Sequence, residues 1–203
     1  MLGFAGEMAA GKGTATEFVK MYYPGTPSFR FSDSLREFHT WFGAEFLKPY
    51  GVTIPVRAST RDLQVLSTKI RELFGENSLE RAIVARAERC LSPSPIVIIE
   101  GIRRIVDIRT LMDDPRYNFQ LIYIEADEKI RWKRHRARNE KPGDAELTFA
   151  QFKELGRAES EEQIRLLKLD ARFTFDNSKT PEDLDNDMRD MFPLLFPSLP
   201  LEE

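Results

Sequence analysis

Apolar and polar positions divide the chain into short apolar stretches and longer amphipathic ones. Residues 2–5 are small or apolar throughout, short enough for a buried strand, and residues 14–22 follow with Phe18, Val19 and Tyr22 on one helical side. Residues 28–31 alternate as a short strand that ends at Ser32 and Asp33. The stripe Leu63, Leu66, Ile70 and Leu73, spaced three or four apart, predicts a helix from Thr60, and Leu79, Ile83, Val84 and Ala87 predict another. Ile96, Val97, Ile98 and Ile99 are four consecutive β-branched residues, a pattern suited to a strand buried on both faces, with Glu100 and Gly101 at its end. Residues 119–126 give the next strand, and a helix begins at Asp127 and Glu128. Helical spacing resumes at Thr148 and runs to Leu167, residues 171–175 form the last strand, and a final helix starts near Pro181. The tail, residues 191–201, sets three prolines among apolar residues and reads as an extended strap or a partner-binding segment. Strands that alternate with helices in this way predict an α/β fold with a doubly wound parallel sheet.

The turn between the first strand and the first helix carries the chemistry. Gly6 and Gly11 bracket four residues, including Ala9 and Ala10, and Lys12 follows, giving Gly-x-x-x-x-Gly-Lys. Glycines let the backbone turn several N–H groups onto one anion, the following helix adds the positive end of its dipole, and Lys12 brings a full charge. The stretch reads as a phosphate cradle for ATP built from Gly6, Ala9, Ala10, Gly11, Lys12, Gly13 and Thr14. The residue after the lysine is Gly13, with a hydroxyl one place later at Thr14. This Gly-Lys-Gly-Thr order resembles adenylate kinase and other nucleoside monophosphate kinases, whereas dephospho-CoA kinases more usually place Ser or Thr directly after the lysine. Mg²⁺ would then be held mainly by phosphate oxygens, water and acidic side chains.

Composition narrows the alternatives. A hydrophobic share of 41% with a charged share of 31% over 203 residues excludes a disordered chain and fits one compact domain. No apolar run approaches the roughly 20 residues needed to span a bilayer. The balance of 30 basic against 33 acidic residues argues against general nucleic-acid binding. One cysteine, Cys90, and two histidines leave no internal disulfide and no protein-built zinc site. With no leader-like stretch before Leu2, the expected compartment is the cytoplasm.

Four further places belong with the cradle. Asp33 and Arg36, three apart, point to one side of a helical turn and resemble the Asp-x-x-Arg after the second strand of nucleoside monophosphate kinases, where the arginine grips the acceptor phosphate. A helix cap or a surface ion pair is the other reading of that pair. Glu100 arrives at the carboxyl end of a strand, where parallel α/β sheets place their ligand crevice, and resembles the acidic residue that orders Mg²⁺ or its waters. Arg103 and Arg104 follow as candidate phosphate contacts. Arg131, Lys133, Arg134, Arg136 and Arg138 crowd one helix before the loop of residues 139–144, in the order of an adenylate-kinase-like lid, with Arg134 and Arg138 on one face. Asn177, after the last strand, resembles the base-contacting end of these kinases.

The resemblance to the group of nucleoside monophosphate kinases and dephospho-CoA kinases covers nearly the whole chain. It implies a five-stranded sheet in the order 2-3-1-4-5, an acceptor-binding insertion over about residues 33–75 with Arg61 as a contact, and a lid over about residues 127–160. It also implies ATP as co-substrate with Mg²⁺, a small phosphorylated acceptor, and catalytic roles for Lys12, Asp33, Arg103, Arg134 and Arg138. The leading expectation is phosphorylation of a nucleoside or deoxynucleoside monophosphate. Dephospho-CoA kinase, with Asp33 as base for a sugar hydroxyl, is the first alternative. A nucleotide-binding regulator with little turnover is the alternative from another class. The aromatics Phe38, Trp41, Phe42 and Phe46 suit either a base pocket or helical core packing.

Overall fold

The computed structural model describes residues 1–47, 60–91, 94–139, 144–157 and 159–199. Five strands, β1 (Leu2–Ala5), β2 (Ser28–Arg30), β3 (Ile98–Glu100), β4 (Gln120–Glu125) and β5 (Phe173–Asp176), form one sheet. All pair in parallel, in the order β2-β3-β1-β4-β5. This is the doubly wound α/β arrangement expected from the alternation of elements.

The apolar strands serve two cores at once. Leu2, Phe4, Ile96, Ile98, Ile122 and Ile124 pack with Val19, Leu184, Met188 and Phe192 of the helices α1 (Lys12–Tyr22) and α9 (Pro181–Leu195). Their neighbours Ala5, Val97, Ile99, Leu121 and Tyr123 face the other way, against Leu35 of α2 (Phe31–Trp41) and Leu79, Ile83 and Val84 of α4 (Ser78–Leu91). The period of two in side-chain direction divides each uninterrupted apolar run between the layers.

Strand β3 is shorter than the apolar run that announces it. Its ladder opens with Leu2 N–H donating to the Val97 carbonyl at 2.8 Å and Ile98 N–H to the Pro27 carbonyl at 2.9 Å. Pro27 has no N–H to return, so regular pairing with β2 begins only at Ser28 and Ile98. The tail also departs from the extended strap: α9 runs through residues 191–195 with Pro193 inside it, because Met191, Phe192 and Leu195 continue its buried stripe. Its start is fixed by Thr180, whose hydroxyl accepts from Asp183 N–H.

On the other side of the sheet, α3 (Thr60–Phe74) buries Leu63 and half-buries Leu66 and Ile70, while Leu73 at its end is exposed. Phe38 and Trp41 of α2 are exposed too, and Phe38 stacks on Phe42 with centroids 5.7 Å apart, so helical core packing does not account for these aromatics. Residues 48–59 and the side chains of Phe46 and Arg61 lie outside the described residues. The remaining α-helices among the described residues are α5 (Arg109–Asp113), α6 (Glu128–Arg138), α7 (Phe149–Leu155) and α8 (Glu159–Leu166). Among the described residues no helix is long and apolar enough to cross a membrane.

Candidate active site

The cradle forms where β1 leaves the sheet. Gly6 has φ +146°, and a Cβ there would stand 2.1 Å from the Ile124 carbonyl oxygen of β4, a backbone atom that cannot move aside as a flexible side chain could. Gly11 has φ +107°, and a Cβ on it would stand 1.9 Å from Nδ2 of Asn177. Ala9 also adopts a left-handed conformation, with φ +61°. Gly11 precedes α1 without a side-chain cap, and the helix has no acidic residue in its first turn. The first N–H groups and the dipole of α1 therefore point at the loop without a carboxylate of their own helix to satisfy them. Gly13 and Thr14 are exposed on this turn. Lys12 bends back over the loop, its Nζ donating to the carbonyls of Gly6 at 2.6 Å and Glu7 at 3.0 Å.

The carboxyl ends of β2 and β3 meet beside the cradle. Arg30 and Glu100 are register partners, and Arg30 donates from Nε and Nη2 to one oxygen of Glu100, each at 2.8 Å. Glu100 is 7% exposed, so this half-exposed arginine is what makes its charge tolerable. Asp33 sits at the third position of α2, where its carboxylate accepts the Arg30 N–H at 3.2 Å, the helix-starting role open to it from the sequence. Arg36 is exposed and makes no ion pair with Asp33 among the described residues. Gly101, with φ +75°, turns the chain away after Glu100, and Arg103 beyond it is exposed. Arg104 instead leans on Glu76 at 3.3 Å and Asp107 at 3.6 Å, and Asp107 is buried against Arg71 at 2.6 Å.

The arginine-rich helix α6 divides its charges. Asp127 caps it, accepting from the N–H groups of Lys129 at 2.8 Å and Ile130 at 3.3 Å. Arg134 donates to the Asn177 carbonyl at 2.7 Å, and Arg138 is exposed near the C-terminal end. Asn177 is 4% exposed; its N–H donates to the Glu125 carbonyl and its side-chain amide to the Ala10 carbonyl at 2.9 Å. The structure thus places Asn177 under the cradle as a brace and links it through its carbonyl to Arg134.

Glu7 and Arg165, neither singled out from the sequence, meet at the cradle together with Arg131 of the arginine-rich helix. Glu7 lies within the cradle, and its carboxylate receives Arg131 at 3.3 Å and Arg165 at 3.0 Å. Arg131 also donates to the carbonyls of Met8 at 3.4 Å and Ala126 at 3.2 Å. The available signal was Glu7 itself, an acidic side chain inside a loop whose N–H groups, dipole and lysine all favour anions. Close by, the buried phenol of Tyr123 is pushed up to about 12, first by desolvation and then by the charges of Glu7 and Glu125, so it remains protonated and is no base near neutrality.

Thr14 and Glu100 are the side chains available to a divalent cation. One Glu100 oxygen is taken by Arg30, and among the described residues no group of three His, Cys, Asp or Glu side chains can hold an ion. These donors do not build a metal site of their own.

No protein-family profile matches the chain. A protein of Archaeoglobus fulgidus described as UPF0200/UPF0201 protein is 23% identical over 202 residues, which is all of this chain and 58% of that protein. The chain therefore spans little more than half the length of the curated relative it matches. Among solved structures, TT1252 from Thermus thermophilus superimposes with a TM-score of 0.60 at 19% identity, covering 96% of both chains. The dephospho-CoA kinase from Campylobacter jejuni gives 0.53 at 15% identity, again over 96% of both chains. The shikimate kinase from Bacteroides thetaiotaomicron gives 0.52 at 12% identity over 94% of this chain and 97% of that one. What the chain shares with them is the fold, a five-stranded parallel sheet flanked by helices as in P-loop kinases.

Proposed function

We propose that the chain is an ATP-dependent phosphotransferase whose acceptor is a nucleoside or deoxynucleoside monophosphate. The observation that carries this reading is the cradle itself: two glycine positions closed to a Cβ, a helix start without a cap of its own, and Lys12 folded over the loop. The fold shared with dephospho-CoA and shikimate kinases supports phosphoryl transfer as the reaction. The exposed aromatics Phe38 and Trp41, on the same helix as Asp33 and Arg36, support an acceptor with a flat base.

In this reading residues 6–14 hold the polyphosphate, and Lys12 exchanges its two carbonyl partners for phosphate oxygens. The γ-phosphorus separates from the oxygen bridging it to the β-phosphate, ADP leaves with that electron pair, and a new bond forms to an oxygen of the acceptor phosphate. That oxygen is already ionised, so no base is needed; Arg36, with Arg61 and Arg103, positions it, and Arg134 and Arg138 offset charge on the equatorial oxygens. Magnesium bound to the nucleotide would supply a counter-charge on its phosphates. In this reading residues 1–203 form a single kinase domain, with the acceptor insertion at about 33–75 and the lid at about 127–160.

A second reading, phosphorylation of a sugar hydroxyl as in a dephospho-CoA kinase, is favoured by the structural likeness over 96% of both chains. It requires the Asp33 carboxylate, one oxygen of which accepts the Arg30 N–H, to accept the hydroxyl proton. ADP release with ATP and Mg²⁺, measured against a panel of ribo- and deoxynucleoside monophosphates and dephospho-CoA, separates the two. Stimulation by a monophosphate is the expected result, and stimulation by dephospho-CoA alone transfers the reaction to the second reading.

A further inference from the structure

Glu7 stands where a negative charge is least expected. The loop gathers N–H groups, a helix start and Lys12 around a place suited to anions, so a fixed carboxylate there competes with any phosphate for the same positive field. Two guanidinium groups offset it. Arg165 Nε lies 3.0 Å from one carboxylate oxygen, and Arg131 Nη2 lies 3.3 Å from the other. The main-chain carbonyl of the same residue accepts from Lys12 Nζ at 3.0 Å. Glu7 therefore contacts cations from α1, α6 and α8.

The two arginines are not equivalent. Arg131 has a side chain only 8% exposed, over the Phe152 ring and bonded to the Ala126 and Met8 carbonyls, so releasing it would strand a buried charge. Arg165 has a side chain 45% exposed, with a further bond to the Gly156 carbonyl. An ion pair that exposed exchanges readily for a more highly charged partner. A polyphosphate is multiply negative, and any two non-bridging oxygens of its tetrahedral terminal phosphate can accept a guanidinium's paired N–H groups, so it is such a partner.

We infer that Glu7 is a positioning residue that acts as an internal competitor for phosphate, holding Arg165 beside the cradle and yielding it to the terminal phosphate of an incoming polyphosphate. Arg165 then joins the residues that touch the transferred group, and its transfer draws α8 toward the nucleotide. The purpose of this exchange rests on the phosphotransferase reading, whereas the binding event itself does not.

Calorimetric titration of the full chain with inorganic tripolyphosphate tests the exchange without any acceptor. Glu7→Gln is expected to bind about tenfold more tightly than the native chain and Arg165→Gln about tenfold more weakly, and the gain from Glu7→Gln is expected to fall below about threefold in the Arg165→Gln background. A carboxylate that only braces the loop has the opposite sign, because its loss would loosen the cradle. Weaker binding by folded Glu7→Gln, or an equal gain in both backgrounds, overturns the inference. If Glu7→Gln does not fold, Arg165→Gln against Arg165→Lys decides: affinity lost in the first and largely restored in the second supports the exchange, and native affinity in Arg165→Gln overturns it. Linked binding without turnover on any acceptor would remove the phosphotransferase reading and leave the competition standing; no tripolyphosphate binding by the native chain overturns both.

Discussion

Asn177 donates from Nδ2 to the Ala10 carbonyl across 2.9 Å, and the same nitrogen lies 1.9 Å from the place a Cβ on Gly11 would take. A side chain arriving from the end of β5 thus fixes the crest of a loop that begins at the end of β1, and it does so only because Gly11 is bare. The brace and the glycine depend on each other.

Gly11→Ala is accordingly expected to keep the fold and weaken ATP binding by about tenfold to a hundredfold, from the collision with Asn177 together with an Ala forced to φ +107°. Adding Asn177→Ala removes the collision and leaves the dihedral, so the double variant should recover part of the affinity. Full recovery in a nucleotide titration would mean that backbone conformation at Gly11 and the Asn177 brace are both unimportant; no recovery would mean that the collision with Asn177 is not what weakens binding in Gly11→Ala.

Arg30 and Arg36 should separate stability from acceptor binding. Arg30→Gln leaves the buried Glu100 carboxylate without its partner and is expected to lower stability by roughly 1–3 kcal/mol in urea unfolding. Arg36→Ala, on an exposed side chain, should leave the unfolding curve in place and raise the KM of the acceptor far more than that of ATP. A stability loss at Arg36, or equal effects on both substrates, would take it out of the acceptor site.

Within α6 two arginines are proposed to act on the transferred group. Arg134→Gln loses the bond to the Asn177 carbonyl and is expected to reduce both thermal stability and kcat, and Arg138→Gln, on an exposed side chain, should reduce kcat as well. Hydrogen exchange over α6 should slow more with a bisubstrate analogue that joins adenosine to the acceptor than with ATP alone. Equal protection by both ligands, with undiminished turnover in the two variants, would make α6 an ordinary solvated helix.

Local patterns made most of the architecture legible. The glycine spacing of residues 6–12 marked the turn out of β1 as the candidate cradle, and the run from Ile96 to Ile99 announced a strand with both faces buried, although Pro27, just before the neighbouring strand, limits where its ladder starts. Pro193 misdirects a local reading, because a proline among apolar residues suggests an extended tail, while the burial of Met191, Phe192 and Leu195 keeps the helix going. Asp33 was legible as a helix-start residue, and its carboxylate does accept the Arg30 N–H. The contacts around Glu7 were not legible, since Arg165 stands 158 residues away and no period or motif connects the two. Likewise Asn177 stood out for its place after a strand, but its partner Ala10 is 167 residues distant and only the closed sheet brings them together.

Transfer of labelled γ-phosphate from ATP to a nucleoside monophosphate, followed by separation of the products, tests the central claim most directly when the native chain is compared with Lys12→Ala. The account predicts labelled nucleoside diphosphate from the native chain, and a yield lower by about 10²- to 10³-fold from a Lys12→Ala variant with the native melting temperature, since one preorganised charge contact to the transferred group is lost. No acceptor-dependent label from the native chain, or undiminished label from the folded Lys12→Ala variant, would contradict it.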